Sequence, residues 1–172
     1  MFFNRTEVFF MIKRIIIITG VSGSGKSQFV NRYFDKNEQT TYITTRQKRK
    51  NDDCICISEK EFNQIKHRLI YLTFKGYKYA IDIKSLIKKV IHEKQIIFIL
   101  SPIIANKIPL LPFIYFIVIN HSKDTIKNQL LMRDGTYERI ERYSEEHHAL
   151  QSLITKIQKS HYSNEKIFKM FN

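Results

Sequence analysis

Eight residues near the amino end, Gly20-Val21-Ser22-Gly23-Ser24-Gly25-Lys26-Ser27, follow the pattern G-x-x-x-x-G-K-S/T. These residue types at this spacing suit one task, gripping a polyphosphate. Glycines let the backbone curl until several N–H groups converge on one phosphate. A helix that starts where the curl ends aims its partial positive charge at the same oxygens. Lys26 can then bridge the β- and γ-phosphates and offset charge as the γ-phosphoryl leaves, while the Ser27 hydroxyl can ligate Mg²⁺. Gly20, Ser22, Gly23, Ser24, Gly25, Lys26 and Ser27 are therefore the expected ATP-binding residues, with Ser27 also the metal ligand. The motif requires a strand before it and a helix after it. Ile15-Ile16-Ile17-Ile18 is a β-branched run suited to a buried parallel strand, and Lys26 to Phe34 is compatible with a helix. This context argues against an incidental glycine turn.

A second anion-binding candidate is Arg46-Gln47-Lys48-Arg49-Lys50, entered from a strand near Tyr42 to Thr44. Guanidinium groups meet phosphate oxygens bidentately and stay charged, although a solvated basic loop has the same composition. Alternating elements must position the two segments. A strand over Cys54 to Ile57 leads into Ser58-Glu59-Lys60-Glu61, a capping box that opens a helix and turns Phe62 and Ile65 inward. A strand over Leu69 to Phe74 ends at a Gly76 turn. Asp82 then caps a helix to about His92, with Leu86, Ile87, Val90 and Ile91 on one face. Ile96 to Leu100 and Phe113 to Ile119 are expected as buried strands with a short helix between them. Helices follow over about Lys123 to Met132 and up to about His161. They are separated by a charged segment, Arg133 to Arg142, which contains Gly135 and is a lid candidate. Lys166 to Phe171 is a last candidate strand. Strands alternating with helices predict an α/β fold, a mostly parallel central sheet flanked by helices.

Past the phosphate loop, the order of segments resembles the guanylate kinase superfamily, a group of P-loop kinases. Thr44-Thr45-Arg46-Gln47-Lys48-Arg49 looks like its T-T-R-x-x-R segment, whose arginines hold the acceptor's phosphate, and Asp52 falls near its following acidic residue. Ile57-Ser58-Glu59-Lys60-Glu61-Phe62 is similar to F-V-S-x-x-E-F. Gly76-Tyr77-Lys78-Tyr79 is similar to G-N-Y-Y, which implies that Tyr79 is a phosphate-contacting phenol. Arg133-Asp134-Gly135 and Arg142 resemble the lid arginines that close over the transferring group, with Arg139 competing for the second place. The resemblance covers roughly residues 13 to 160. It implies a P-loop kinase fold with a small acceptor-binding insertion (about 40–81) and a helical lid (about 133–142), inside one domain over 11–172 after an extension of residues 1–10. It further implies ATP and Mg²⁺ as cofactors. Lys26, Arg133 and Arg142 become the catalytic residues, and Arg46, Arg49, Asp52 and Tyr79 the acceptor-binding ones.

The departures from the family have a pattern. Tyr42, Ile70 and Ser101 stand where guanylate kinases place guanine-reading residues, and the strand Ile96 to Leu100 lacks the family's acidic residues. A hydrocarbon cannot accept from guanine's N–H groups, and each donor left unpaired costs about 1–3 kcal/mol. The ribose 1,5-bisphosphate phosphokinase branch is similar in its Y-I-T-R stretch, here Tyr42-Ile43-Thr44, and in its polar, non-acidic residues around Ser101; Arg49 instead matches the nucleotide kinases. The implied acceptor is a small phosphorylated molecule, GMP or another nucleoside monophosphate, or ribose 1,5-bisphosphate. Family members continue past the last strand into an adenine-contact loop and a closing helix, whereas this sequence ends at Phe171-Asn172. A non-catalytic or weakly active nucleotide-binding module is therefore the alternative.

Composition sets outer bounds. At 172 residues and 43% hydrophobic, the chain can bury a core and is not expected to be disordered. Its formal charge of +13 predicts anionic partners. Nucleic-acid binding or end phosphorylation fits that charge too, but is the less favoured reading beside a small phosphorylated substrate. Cys54 and Cys56 sit at alternate positions of a strand and are expected as free thiols in a reducing cytoplasm. The opening residues carry charges where a signal peptide needs an apolar run, and Pro109 and Pro112 break the longest apolar stretch, Ile108 to Ile119. No membrane partner is expected. The six histidines suggest no metal or catalytic constellation.

Overall fold

The isoleucine run forms strand β1 (Ile15–Thr19), and the phosphate-loop motif leads from it into helix α1 (Lys26–Tyr33). The computed structural model describes residues 14–48, 54–74, 76–122, 124–126, 128, 137–160 and 167–170; for 137–142 and 167–170 the backbone alone is described. The order continues β2 (Ile43–Thr44), β3 (Ile55–Cys56), α2 (Glu59–Ile65), a short 3₁₀ turn, β4 (Leu69–Phe74), β5 (Tyr77–Asp82) and α3 (Ile83–His92). Then come β6 (Ile96–Leu100), α4 (Pro102–Ala105), β7 (Ile114–Ile119), α5 (Tyr137–Gln158) and β8 (Ile167–Met170). Residues 124–126 and 128 are also helical. The described residues fall into two units, a smaller one within 37–96 and a larger one within 14–36 and 97–170.

The larger unit is built on a sheet ordered β6-β1-β7-β8, in which β1 and β7 run parallel with Ile15 opposite Ile114 and Thr19 opposite Val118. β8 adds to β7, also parallel. Successive isoleucines of β1 point to opposite faces, and each face has its own cover. Ile17 packs with Phe116 against Leu153 and Ile157 of α5 and Ala105 of α4. Ile16 and Ile18 pack on the other face against Val30 of α1, with Ile97 and Ile119. A strand covered on both sides needs no polar face, which is why the run is uninterrupted. Full burial of each such side chain contributes about 1.5–3 kcal/mol.

The smaller unit carries a sheet ordered β3-β2-β5-β4, with β2 parallel to β3 and antiparallel to β5, and β4 antiparallel to β5. Its core is Ile43, Phe62, Leu69 and Ala80, with Ile57 and Ile65 packed beside them. The expected capping box forms: the Ser58 N–H donates to Glu61 Oε2 at 2.7 Å and the Glu61 N–H to Ser58 Oγ at 3.2 Å. These bonds and the Lys78 ammonium hold Glu61 and Glu59 below the usual carboxylate range, through Ser58 and Lys78 respectively. Cys54 and Cys56 are free thiols with their sulfurs 3.5 Å apart.

Three features differ from the sequence expectation. β5 forms a hairpin with β4 where only a turn and a helix cap were expected. Its buried face is set by Ala80, and Tyr77 is exposed. In α3, Leu86 and Val90 are half-buried, but Ile87 and Ile91 are 52% and 53% exposed. The apolar stripe is wider than the part that finds cover, because residues one position apart lie about 100° around a helix. Helix α5 begins at Tyr137, inside the expected lid segment. Among the described residues, no helix is long and apolar enough to cross a membrane.

Candidate functional site

The phosphate loop occupies the carboxyl end of β1. Gly20 lies so close to β7 that an added Cβ would stand 2.3 Å from the Ile119 carbonyl oxygen and 2.6 Å from Ser24 Oγ. Gly23 and Gly25 have φ of 84° and 78°, a backbone conformation that side chains with a Cβ resist. Gly25 immediately precedes α1, with no side-chain cap on the helix's first amides. Those amides and the α1 dipole therefore face the curl, as an anion site requires. Val21 is fully buried, and a Ser24 N–H bond to its carbonyl at 3.1 Å closes the turn. Lys26 is half-buried and donates from Nζ to the carbonyls of Gly20 (2.8 Å) and Val21 (2.9 Å). Ser27, on the first turn of α1, is exposed.

Of the unspent polar groups among the described residues, several lie at or just past the carboxyl ends of β1, β6 and β7. Thr19 Oγ1, Ser24 Oγ, Ser101 Oγ, Asn120 Oδ1 and His121 Nδ1 are buried without a hydrogen-bond partner. Thr19 ends β1, Ser101 follows β6, and Asn120 and His121 follow β7, three neighbouring strands. Buried polar atoms are normally satisfied, so a cluster of unsatisfied ones marks a place that can receive a polar ligand. Open α/β sheets bind ligands at this edge. The residues present thus fit a polyphosphate: left-handed glycines, a helix start, a lysine ammonium and orphaned hydroxyls share one end of β1.

One more group touches the loop. The Ser22 N–H donates to a carboxylate oxygen of Glu146, on α5, at 2.5 Å. The sequence reading did not single out Glu146, which sits in the run Ser144-Glu145-Glu146-His147-His148 with no motif spacing to mark it. Next to it, His147 stacks on Tyr143 with ring centroids 5.4 Å apart.

Of the residues expected to bind the acceptor, Arg46 and Tyr79 belong to the smaller unit. Thr44 and Tyr79 are direct cross-strand partners, as are Leu72 and Tyr79, so these three share the sheet face opposite Ile43 and Ala80. The Arg46 N–H turns back to Thr44 Oγ1 at 3.2 Å, and its Nη1 donates to the Gln47 carbonyl at 3.1 Å. Arg46 and Tyr79 are both half-buried, and the Tyr79 ring lies 6.1 Å from that of Tyr42. The neighbouring Lys78 is committed elsewhere, to Glu59 at 2.5 Å and over the Phe62 ring at 4.9 Å. Arg49, Asp52 and Arg133 lie outside the described residues; Arg142 is on the backbone of α5, with Arg139 one turn earlier.

Among solved structures, the chain is similar to guanylate kinase from Anaplasma phagocytophilum. The TM-score is 0.54 at 13% identity, over 91% of this chain and 76% of that one. The fold is a guanylate kinase fold. At that identity the likeness carries the fold and no further. No family model matches the sequence, and neither does any curated protein. Within the guanylate kinase fold of this chain, the parallel sheet bears the phosphate loop and the hairpin unit bears Arg46 and Tyr79.

Proposed function

We propose that the chain transfers the γ-phosphoryl group of ATP to a small acceptor that already carries phosphate, a nucleoside monophosphate such as GMP or ribose 1,5-bisphosphate. The observation that carries this reading is the loop: Gly23 and Gly25 at positive φ, between a buried parallel strand and an uncapped helix start. Its amides and Lys26 would hold the polyphosphate, with Lys26 leaving the Gly20 and Val21 carbonyls to do so. Ser27, with water, would hold Mg²⁺, which when bound neutralises charge on the β- and γ-oxygens. Arg46, Arg49, Asp52 and Tyr79 would anchor the acceptor. Arg133 and Arg142 would offset the charge of the transition state.

An ionised phosphate oxygen of the acceptor attacks the γ-phosphorus, a new O–P bond forms, and the bond to the bridging oxygen breaks as ADP departs. The nucleophile carries no proton to remove, so no general base is required, and positioning with electrostatics supplies the rate. Guanine selection is weakly supported, because Ile70 is an apolar side chain 57% exposed on β4. An ATP-consumption screen over nucleoside monophosphates and ribose 1,5-bisphosphate tests the proposal. One acceptor should stimulate turnover, and Lys26→Ala should abolish it while far-UV circular dichroism stays unchanged. Turnover retained in that variant would remove the reading.

The second reading is a nucleotide-binding module without transfer activity. It is favoured by β6, Ile96-Ile97-Phe98-Ile99-Leu100, which offers no carboxylate to a metal. ATP affinity indifferent to Mg²⁺, with no acceptor turned over, would favour it.

A further inference from the structure

The phosphate-loop motif explains Lys26 and leaves Glu146 unexplained. We propose that Glu146 is the positioning residue of the loop, holding Ser22 in place so that the following amides stay convergent when Lys26 leaves to meet a phosphate. The inference rests on the ATP-site reading above. Its geometric basis is a line of residues on one face of α5. Glu146, Leu150 and Ile154 are spaced four apart, so they stack along the helix. Leu150 and Ile154 pack with the fully buried Val21, the second residue of the loop. One turn above them, the half-buried Glu146 accepts from the Ser22 amide at 2.5 Å. The helix thus grips two consecutive loop residues, one by apolar contact and one by a charge-assisted hydrogen bond.

Lys26 secures the same half of the loop. Its ammonium binds the carbonyls of Gly20 and Val21, while Glu146 binds the amide of Ser22. A polyphosphate attracts the lysine, so that grip cannot serve both roles at once. A carboxylate is not drawn to a phosphate, so the Glu146 bond does not face that competition. Its bond falls just before Gly23, the first left-handed residue, where a free Ser22 would let the turn rotate.

The test uses the full chain as wild type, Glu146→Ala and Glu146→Gln, with pyrophosphate and Mg-ATP as titrants in calorimetry. Glutamine keeps an oxygen acceptor; alanine does not. Loss of a charge-assisted bond should weaken pyrophosphate binding about tenfold in Glu146→Ala, with most of the affinity recovered in Glu146→Gln. In parallel, the Ser22 amide should exchange its hydrogen faster in Glu146→Ala and regain protection in Glu146→Gln. Equal affinity in all three proteins overturns the proposal. Tighter binding in both variants also overturns it, because the carboxylate would then be an anion competing with phosphate. If the wild type binds neither titrant, the ATP reading falls by itself. Ser22 exchange still decides the Glu146 link in that case, and unchanged exchange in Glu146→Ala sinks it.

Discussion

At the scale of single residues, the glycines of the phosphate loop do two separate jobs. Gly23 and Gly25 supply backbone conformations, whereas Gly20 supplies room. A Cβ at Gly20 would meet the Ile119 carbonyl, and a backbone oxygen in a central strand cannot rotate aside. Gly20→Ala should therefore destabilise the larger unit by about 1–3 kcal/mol, as overpacked core substitutions do. Thermal melting checks this, with a fall of about 2–4 °C expected per kcal/mol. An unchanged midpoint would mean that β1 and β7 part easily at this end. The orphaned hydroxyls of Thr19, Ser24 and Ser101 belong to the same scale: no motif spacing says that they are unsatisfied, which follows from where each strand ends or loop turns.

At the scale of elements, helix α3 depends on the residue that caps it, Asp82. Asp82 accepts the Ser85 N–H at 2.9 Å and also meets Arg68 at 3.0 Å. The backbone bond from Ser85 comes first, and with Arg68 it holds the Asp82 carboxyl below its ordinary range despite partial burial. A depressed folded-state value means that folding favours the ionised form. The contribution is complete above the unfolded-chain value of about 3.9 and is lost as pH falls through the lower folded-state value. Asp82→Ala should cost about 1 kcal/mol near neutrality, as loss of a helix cap does. The gap in melting temperature between wild type and variant should then narrow below about pH 4. A gap independent of pH would show that the charge of Asp82 does not contribute. Glu61 is depressed in the same sense by the Ser58 hydroxyl and amide, so the acid side weakens both helices of the hairpin unit.

At the scale of the whole molecule, the apolar core is divided. Ile43, Phe62, Leu69 and Ala80 form one cluster in the smaller unit, while three clusters surround β1 and β7 in the larger. Phe62 is fully buried and packs in the cluster of its own unit. Phe62→Ala should cost about 3–5 kcal/mol, the range for deleting a core aromatic. The loss should register locally. Hydrogen exchange is expected to speed up in β2, β4 and β5 while β1 and β7 keep their protection. Equal loss of protection in both sets would show a single cooperative unit. The +13 charge adds a general attraction for anions but does not select among them, because a diffuse field carries no geometry.

Local chemistry alone determined much of this protein. The loop from Gly20 to Ser27, the strand before it, the helix after it, the Ser58 capping box and the Asp82 cap all depend on residues within a few positions of one another. Such interactions leave a periodic or motif signature in the chain. Tertiary structure decided what depends on distant partners. Glu146 meets Ser22 across 124 positions, and only the packing of Leu150 and Ile154 on Val21 brings them together. Whether Ala80 or the flanking tyrosines of β5 face the core was settled by pairing with β2 and β4 and by Phe62, since alternation fixes two faces but not which one is covered. The exposed edge of α3 has the same origin: an apolar stripe says where cover could be, and only neighbouring elements say how far it extends.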